Sequence, residues 1–380
     1  MAAECHRVLM VADSVGGVWQ YALELARGLL EQGDEVALAT MGSELTAEQR
    51  RSAASIAGLS LHPSRWKLAW MDDPWADVER AGEWLMNVAE QVRPTVVHLN
   101  DYSHAGLSWR APVLMVGHSC VLSWWRGVHD LDAPEPEWQR YRESVGSGLA
   151  AADMVVAPSR SMLGRLEHHY GPLRNPRVIY NARTPAATND LIRREPLILA
   201  AGRLWDPAKN IGALSAVAPG LDWPILVAGE HRHPNGHDLD LPDVRLLGPL
   251  SSSELAEWMA RASIYALPAR YEPFGLSALE AAQAGCALVL GDIDSLHEVW
   301  GDAALFVDPD DHAALAAVLR RLIADPVLRA GHVARARARA VRYAPDAMVD
   351  AYRRAYSELE TGPGRRGRSP DEHVTAGAVR

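Results

Sequence analysis

The sequence predicts an α/β protein made of two doubly wound parallel-sheet domains, on three observations. Short β-rich apolar runs alternate with longer helical patterns along most of the 380 residues. The runs are continuously apolar rather than alternating, as strands buried on both faces are. A polar stretch without period, Thr184–Glu195, divides them into two series.

In the first series, strands are expected at Arg7–Ala12, Glu35–Thr40, Thr95–Asn100, Pro112–Ser119, Met154–Ser159 and Arg177–Asn181. Helical patterns lie between them, as in Val18–Glu31, where Tyr21, Ala22, Leu25 and Leu29 share a face at the helical period. The second series places strands at Leu197–Gly202, Ile225–Gly229, Val244–Gly248, Ile264–Pro268, Ala287–Gly291 and Ala304–Val307. Helical crossovers make successive strands parallel. The reading is an N-terminal domain over 1–183, a linker over 184–195 and a C-terminal domain over 196–343. A last amphipathic helix within 344–361, centred on Ala347–Glu360, is expected to pack back toward the N-terminal domain. Residues 362–380, rich in Gly, Arg and Ser and including Arg365, Arg366 and Arg368, are expected to form a disordered, solvated tail.

Composition narrows the function classes. A net charge of -10, from 38 Lys and Arg against 48 Asp and Glu, argues against a chain held to nucleic acid by its overall field. A local basic pocket for a small diphosphate is still compatible with it. Cys5, Cys120 and Cys286 are far apart and form no CxxC pair, so neither a zinc cage nor a disulfide framework is expected, and a reducing cytoplasm fits. The apolar run Val8–Ala12 is too short for a secretory signal, and no run reaches membrane-spanning length.

The stretch Ala266-Leu-Pro-Ala-Arg-Tyr-Glu272-Pro-Phe-Gly275-Leu-Ser-Ala-Leu-Glu280 carries the strongest chemical signal. A strand ends near Pro268, a loop carries Glu272, and a helix begins around Gly275. Free N–H groups and the positive dipole end of such a helix suit a diphosphate. Two carboxylates seven residues apart can accept hydrogen bonds from vicinal hydroxyls of a ribose and a sugar. Taken alone, the pair also reads as a capping Glu272 and a solvent-facing Glu280. Upstream, Gly202-Arg203 closes a strand and Lys209 follows in a loop; two fixed cations there can stabilise a departing diphosphate. Alone, Arg203 reads as a structural ion pair and Lys209 as a solvated lysine. Asp13-Ser-Val-Gly16-Gly17 joins the first strand to the first long helix, where glycines let the backbone approach a ligand or simply turn. No GxGxxG fingerprint is present, so dinucleotide binding is not indicated. His118 ends the apolar run Val113-Leu-Met-Val-Gly-His118, and one histidine of fifteen there is either a site residue or a structural one.

Glu272-x7-Glu280 within EPFGLSALEA, followed by Gly285 and an apolar strand, resembles the E-x7-E signature of family 4 glycosyltransferases of the GT-B fold. The resemblance runs from Gly16 to about Pro309 and includes the strand-GR-loop-K segment and the N-terminal glycine loop. It implies two Rossmann-like domains facing across a cleft, the N-terminal one for acceptor and the C-terminal one for a nucleotide-diphosphate-sugar donor. It further implies transfer with retention of anomeric configuration, without a metal or other cofactor. By the same resemblance His118, Glu272, Arg203 and Lys209 form the catalytic set. Gly16, Gly17, Phe274, Gly275 and Leu276 approach the donor, and Glu280 holds the ribose hydroxyls. The acceptor is expected to be a saccharide, a lipid-linked saccharide or a small molecule, leaving peripheral membrane contact open.

Three other features carry less. Asp292-Ile-Asp294 mimics a metal-binding DxD but falls late in the second domain, ahead of Glu298, where family 4 proteins often have glycine or proline. His231, His233 and His237 lack metal-ligand spacing. Trp124, Trp125 and Trp138 flank an acidic, proline-containing loop and fit packing, an acceptor-stacking surface or a membrane surface. Two other functions share the fold: a nucleotide-sugar epimerase and a non-catalytic sugar-nucleotide sensor.

Overall fold

The computed structural model describes residues 5–186, 192–230 and 241–362. The first half runs β1 (Arg7–Asp13), α1 (Gly17–Glu31), β2 (Glu35–Met41), α2 (Ala47–Ala54), β3 (Ser60–Pro63), α3 (Trp75–Val92), β4 (Val96–Leu99), β5 (Val113–Val116), α4 (Val121–His129), α5 (Glu135–Ala151), β6 (Met154–Ala157), α6 (Arg160–Tyr170) and β7 (Arg177–Val178). Its sheet has the order β3-β2-β1-β4-β5-β6-β7, with every pairing parallel.

The second half runs β8 (Glu195–Ala201), α7 (Ile211–Val217), β9 (Ile225–Ala228), β10 (Arg245–Gly248), α8 (Ser252–Arg261), β11 (Ala262–Leu267), α9 (Leu276–Ala284), β12 (Ala287–Gly291), α10 (Asp294–Trp300), β13 (Leu305–Val307), α11 (His312–Ala324), α12 (Pro326–Ala340) and α13 (Pro345–Thr361). Its sheet, again all parallel, has the order β10-β9-β8-β11-β12-β13.

The continuous apolar runs follow from this layering. In β1, Leu9 and Val11 enter one core while Val8, Met10 and Ala12 enter the core on the opposite face. Both faces are covered by helices, so no residue of Val8–Val11 has a polar side to present. Each fully buried Leu or Val stabilises the fold by roughly 1.5–3 kcal/mol relative to exposure. β8 repeats the arrangement, with Leu197 and Leu199 on one face and Ile198 and Ala200 on the other.

Chain order reverses between β1 and β4 in the first sheet and between β8 and β11 in the second. Open parallel sheets bind ligands beyond the carboxyl ends of strands at such reversals. The last helix returns to the first domain: Met348, Val349, Tyr352 and Tyr356 of α13 are buried in the same core as Tyr21, Leu25 and Leu29 of α1.

All twelve expected strands are present, several trimmed at their ends; the run Arg177–Asn181 pairs only over Arg177–Val178. A thirteenth, β3, was not anticipated, because Ser60–Pro63 is a short, half-exposed edge strand without an apolar run. β8 begins at Glu195, inside the expected linker. Part of that linker (187–191), the histidines at 231, 233 and 237, and the tail from 363 lie outside the described residues.

Candidate active site

The site is built where the two chain-order reversals face each other. β1 ends at Asp13, and Gly16 follows at φ 83°, a left-handed conformation that side chains disfavour. A Cβ at Gly16 would stand 3.3 Å from Arg203 Nη1, and one at Gly17 would stand 3.6 Å from Leu276 Cδ1. The glycine loop of the first domain therefore lies against both the strand end and the helix start of the second.

On the C-terminal side, β8 delivers Gly202 and Arg203, and a short 3-10 turn over Pro207–Lys209 follows. Arg203 Nη2 donates to Asp206 Oδ2 at 2.8 Å, while Asp206 Oδ1 accepts from Trp124 Nε1 of the first domain at 3.0 Å. The cations Arg203 and Lys209, with Trp124, hold the Asp206 carboxyl below its ordinary range despite its burial. The aliphatic stem of Lys209 passes within 3.6 Å of where a Gly202 Cβ would be, and its Nζ reaches Glu272 Oε2 at 2.5 Å. Glu272 Oε1 accepts from Gly275 N at 3.0 Å, and its backbone carbonyl accepts from Ser295 Oγ at 2.5 Å. Both a capping bond and a cation partner thus fix Glu272 at the start of α9. Gly275 sits at φ 91°, and Leu276 opens the helix.

Glu280 does not face solvent. Its Oε1 accepts from Arg183 Nε at 2.6 Å, and the same guanidinium reaches Glu24 Oε2 of α1 at 3.5 Å. Phe274 is 2% exposed and meets the Tyr343 ring edge-on at 5.3 Å, so its side chain belongs to the C-terminal core. The ring is committed to packing.

His118 follows β5 by two residues. Its Nε2 lies 2.8 Å from Asn100 Oδ1, and its ring meets Tyr21 at 4.4 Å between centroids. Asn100 Nδ2 donates to Val11 O at 2.8 Å, which turns Oδ1 toward the histidine. Oδ1 can only accept, so His118 Nε2 carries the proton and Nδ1 is left as the acceptor. Burial pushes the His118 pKa down to about 3, assisted by nearby His98. The imidazole is neutral at physiological pH.

Asp13, Asn100, Arg183, Glu24 and Glu298 take part in this region although the sequence assigned them no role. Glu298 of α10 reaches across the domain boundary: Oε1 accepts from Arg160 N at 2.7 Å and Oε2 from Ser161 N at 2.9 Å, capping α6 of the first domain. Beside it, Ser159 Oγ donates to Pro273 O at 2.7 Å. Tyr271 is buried in the first domain's core, with Ser119 Oγ 3.0 Å from its hydroxyl. Asn100 and Asp13 could have been found as polar residues closing apolar strands, and Glu24 as a charge set among Tyr21, Leu23, Leu25 and Ala26 in helix α1.

The remaining sequence features have ordinary settings. Asp292 Oδ1 pairs with His297 Nε2 at 2.6 Å, and among the described residues no three His, Cys, Asp or Glu side chains gather as a metal site would require. Trp124, Trp125 and Trp138 all pack against the first domain's core. No helix among the described residues is long and apolar enough to cross a membrane.

Comparison with known proteins converges on one group. Residues 15–185 match the family described as Glycosyltransferase Family 4, and residues 195–325 match Glycosyl transferases group 1. A glycogen synthase of Mycobacterium tuberculosis is 31% identical over 284 residues, covering 66% of this chain and 64% of its own length. The match thus spans just under two thirds of that relative. A D-inositol 3-phosphate glycosyltransferase of Xylanimonas cellulosilytica is 27% identical over 398 residues, covering 90% of this chain and 92% of its own length. In fold, the sucrose-phosphate synthase of Thermosynechococcus elongatus superposes with a TM-score of 0.74 at 17% identity, covering 93% of this chain and 98% of its own. Anabaena Alr3699/HepE, solved with UDP and glucose, gives 0.72 at 15% identity, covering 93% and 100%.

Proposed function

The chain belongs to the family 4, group 1 glycosyltransferases of the GT-B fold, and we propose from this that it transfers a sugar from a nucleoside diphosphate sugar to an acceptor hydroxyl, with retention and without a metal. The observation that carries the reading is the joint position of Arg203, Lys209, Glu272 and the first turn of α9 at one chain-order reversal, facing the Gly16–Gly17 loop.

Each group has a task in that reaction. Arg203 and Lys209 supply the fixed positive charge that a leaving diphosphate needs as the C1–oxygen bond breaks. The open N–H groups of α9 add hydrogen bonds and a favourable dipole end. Glu272, already held by Lys209 and Gly275 N, is oriented to accept from hydroxyls of the transferred sugar. His118, neutral and protonated on Nε2, offers Nδ1 as an acceptor near the reacting carbon. The acceptor oxygen bonds to C1 on the face the diphosphate leaves, and its proton passes to a diphosphate oxygen. Glu280 accepts from the ribose. The acceptor belongs to the N-terminal side and is a saccharide or other polyol, in keeping with a relative named for D-inositol 3-phosphate.

The test combines binding and turnover. Thermal shift with UDP-, GDP- and ADP-hexoses identifies the donor, since a ligand at 100 times its Kd stabilises by about 2.7 kcal/mol. The selected donor is then incubated with and without acceptor sugars, and with EDTA. Transfer that persists in EDTA and keeps the anomeric configuration supports the proposal. An isomerised donor formed without acceptor identifies an epimerase instead, and turnover lost to EDTA and restored by manganese refutes the metal-free reading.

A further inference from the structure

Arg183 ends the N-terminal domain's run toward the linker, and its guanidinium is shared by two carboxylates from opposite domains. Nε donates to Glu280 Oε1 of α9 at 2.6 Å; Nη1 lies 3.5 Å from Glu24 Oε2 of α1. Glu24 is 2% exposed, in the middle of a helix whose other inward residues are apolar. Burying a carboxylate there is costly without a fixed partner. It has three: besides Arg183, Thr184 Oγ1 donates to Glu24 Oε1, and Arg27 Nη1 stands 3.9 Å from the same oxygen. The Arg183 carbonyl is pinned in turn by Gln283 Nε2 of α9 at 2.7 Å. The guanidinium is thus held from both sides, and its planar fork fixes the plane of the carboxylate it contacts.

We infer that Arg183, anchored by the buried Glu24, is a positioning residue that sets Glu280 for the donor's ribose and ties ribose binding to the contact between domains. The inference rests on the reading of Glu280 as the ribose ligand. Arg183 occupies Oε1 alone, leaving Oε2 and the remaining lone pairs of the carboxylate for two vicinal hydroxyls. Without the guanidinium, Glu280 loses its orientation and its link to Glu24, which retains only Arg27 and Thr184. A nucleotide that engages Glu280 therefore also engages α1, through Arg183 and Glu24, and favours the closed domain arrangement. Neither Arg183 nor Glu24 touches the ligand in this scheme.

The experiment measures the affinities of UDP, GDP and ADP for the full chain by calorimetry, then compares the tightest with its 2′,3′-dideoxy counterpart. Wild-type protein is expected to prefer the ribonucleotide by about tenfold or more. Arg183→Gln is expected to bring that preference to near unity by weakening the ribonucleotide while leaving the dideoxy form unchanged. Arg183→Lys keeps the charge without the fork and is expected to lose at least about threefold of the preference, a result available even if Arg183→Gln does not fold. A full wild-type preference in Arg183→Lys, or equal losses for both nucleotides in Arg183→Gln, overturns the inference. Glu280→Gln separates the two levels. If it leaves the preference intact, the ribose reading of Glu280 fails; if it abolishes the preference while the Arg183 variants keep it, only the present inference fails.

Discussion

Lys209 Nζ and Glu272 Oε2 stand 2.5 Å apart, so the cation expected at the diphosphate and the carboxylate expected at the sugar are one ion pair before any ligand arrives. Both side chains are largely shielded from solvent, so each depends on the other for its orientation. Lys209→Ala and Glu272→Ala are each expected to cut kcat at least about tenfold, the scale of a lost charge-assisted contact. Because they act as a unit, the double variant should fall well short of the product of the single losses. Initial rates on the four proteins check this, and near wild-type rates in both single variants contradict the site assignment.

His118 is expected to stay uncharged across the working pH range, because burial depresses its pKa to about 3. Its imidazole resonances should not titrate between pH 5 and 8, and nitrogen shifts should report the Nε2–H form that Asn100 selects. Asn100→Asp places an anion against the same nitrogen and should raise the His118 pKa by at least about one unit. Nitrogen NMR against pH on both proteins decides it; titration of the wild-type ring near pH 6.5 sinks the argument.

Much of the fold could be read from residues whose burial is set by their own segment. The apolar runs of β1, β8, β11 and β12 are covered on both faces, so neither needs a polar side that would blur the pattern. β3 was illegible because an edge strand of sequence Ser-Leu-His-Pro is stabilised by one neighbour rather than by its own composition. The site divides the same way. Glu272, Gly275 and Glu280 lie within one strand-loop-helix passage, and their spacing could be read directly. Arg183 and Glu298 find partners 97 and 138 positions away in sequence, through contacts that exist only once the two sheets face each other. The pairing of Lys209 with Glu272 likewise depends on β8 and β11 lying side by side, which the resemblance implied only as separate roles.

Asp13 closes β1 beside the glycine loop, and burial lifts its pKa from 3.8 to about 7 against the lowering effects of the Val15 N–H bond and Arg203. The folded state therefore holds a proton that the unfolded chain has already shed, and stability falls as pH rises from about 4 through 7. Asp13→Asn keeps an acceptor for Val15 N without the ionisable group. It should be stabilised relative to wild type by up to about 4 kcal/mol at pH 8, and by much less at pH 4. Urea denaturation of both proteins at the two pH values measures the difference, and an equal gap at both ends removes Asp13 as the cause.

Glu298 caps a helix that belongs to the other domain, giving both carboxylate oxygens to the amides of Arg160 and Ser161 while the Tyr180 hydroxyl donates to Oε1 at 2.9 Å. Free amides at a helix start favour an anion, and here the anion arrives with α10, so the bond energy is realised only when the domains meet. Glu298→Gln retains the shape but loses the charge, and replaces one acceptor oxygen by a donor facing an amide that is itself a donor. Its effect should appear as looser closure rather than general unfolding. Hydrogen exchange at the Arg160–Met162 amides should quicken by about tenfold or more, the consequence of losing roughly 1.5–3 kcal/mol of charge-assisted bonding, while amides in β1 and β8 exchange at wild-type rates. The KM for donor should rise with little change in kcat, because closure is needed to assemble the site and Glu298 is no part of the chemistry. Uniform acceleration of exchange in both sheets would instead mark Glu298 as a support of one domain's own fold.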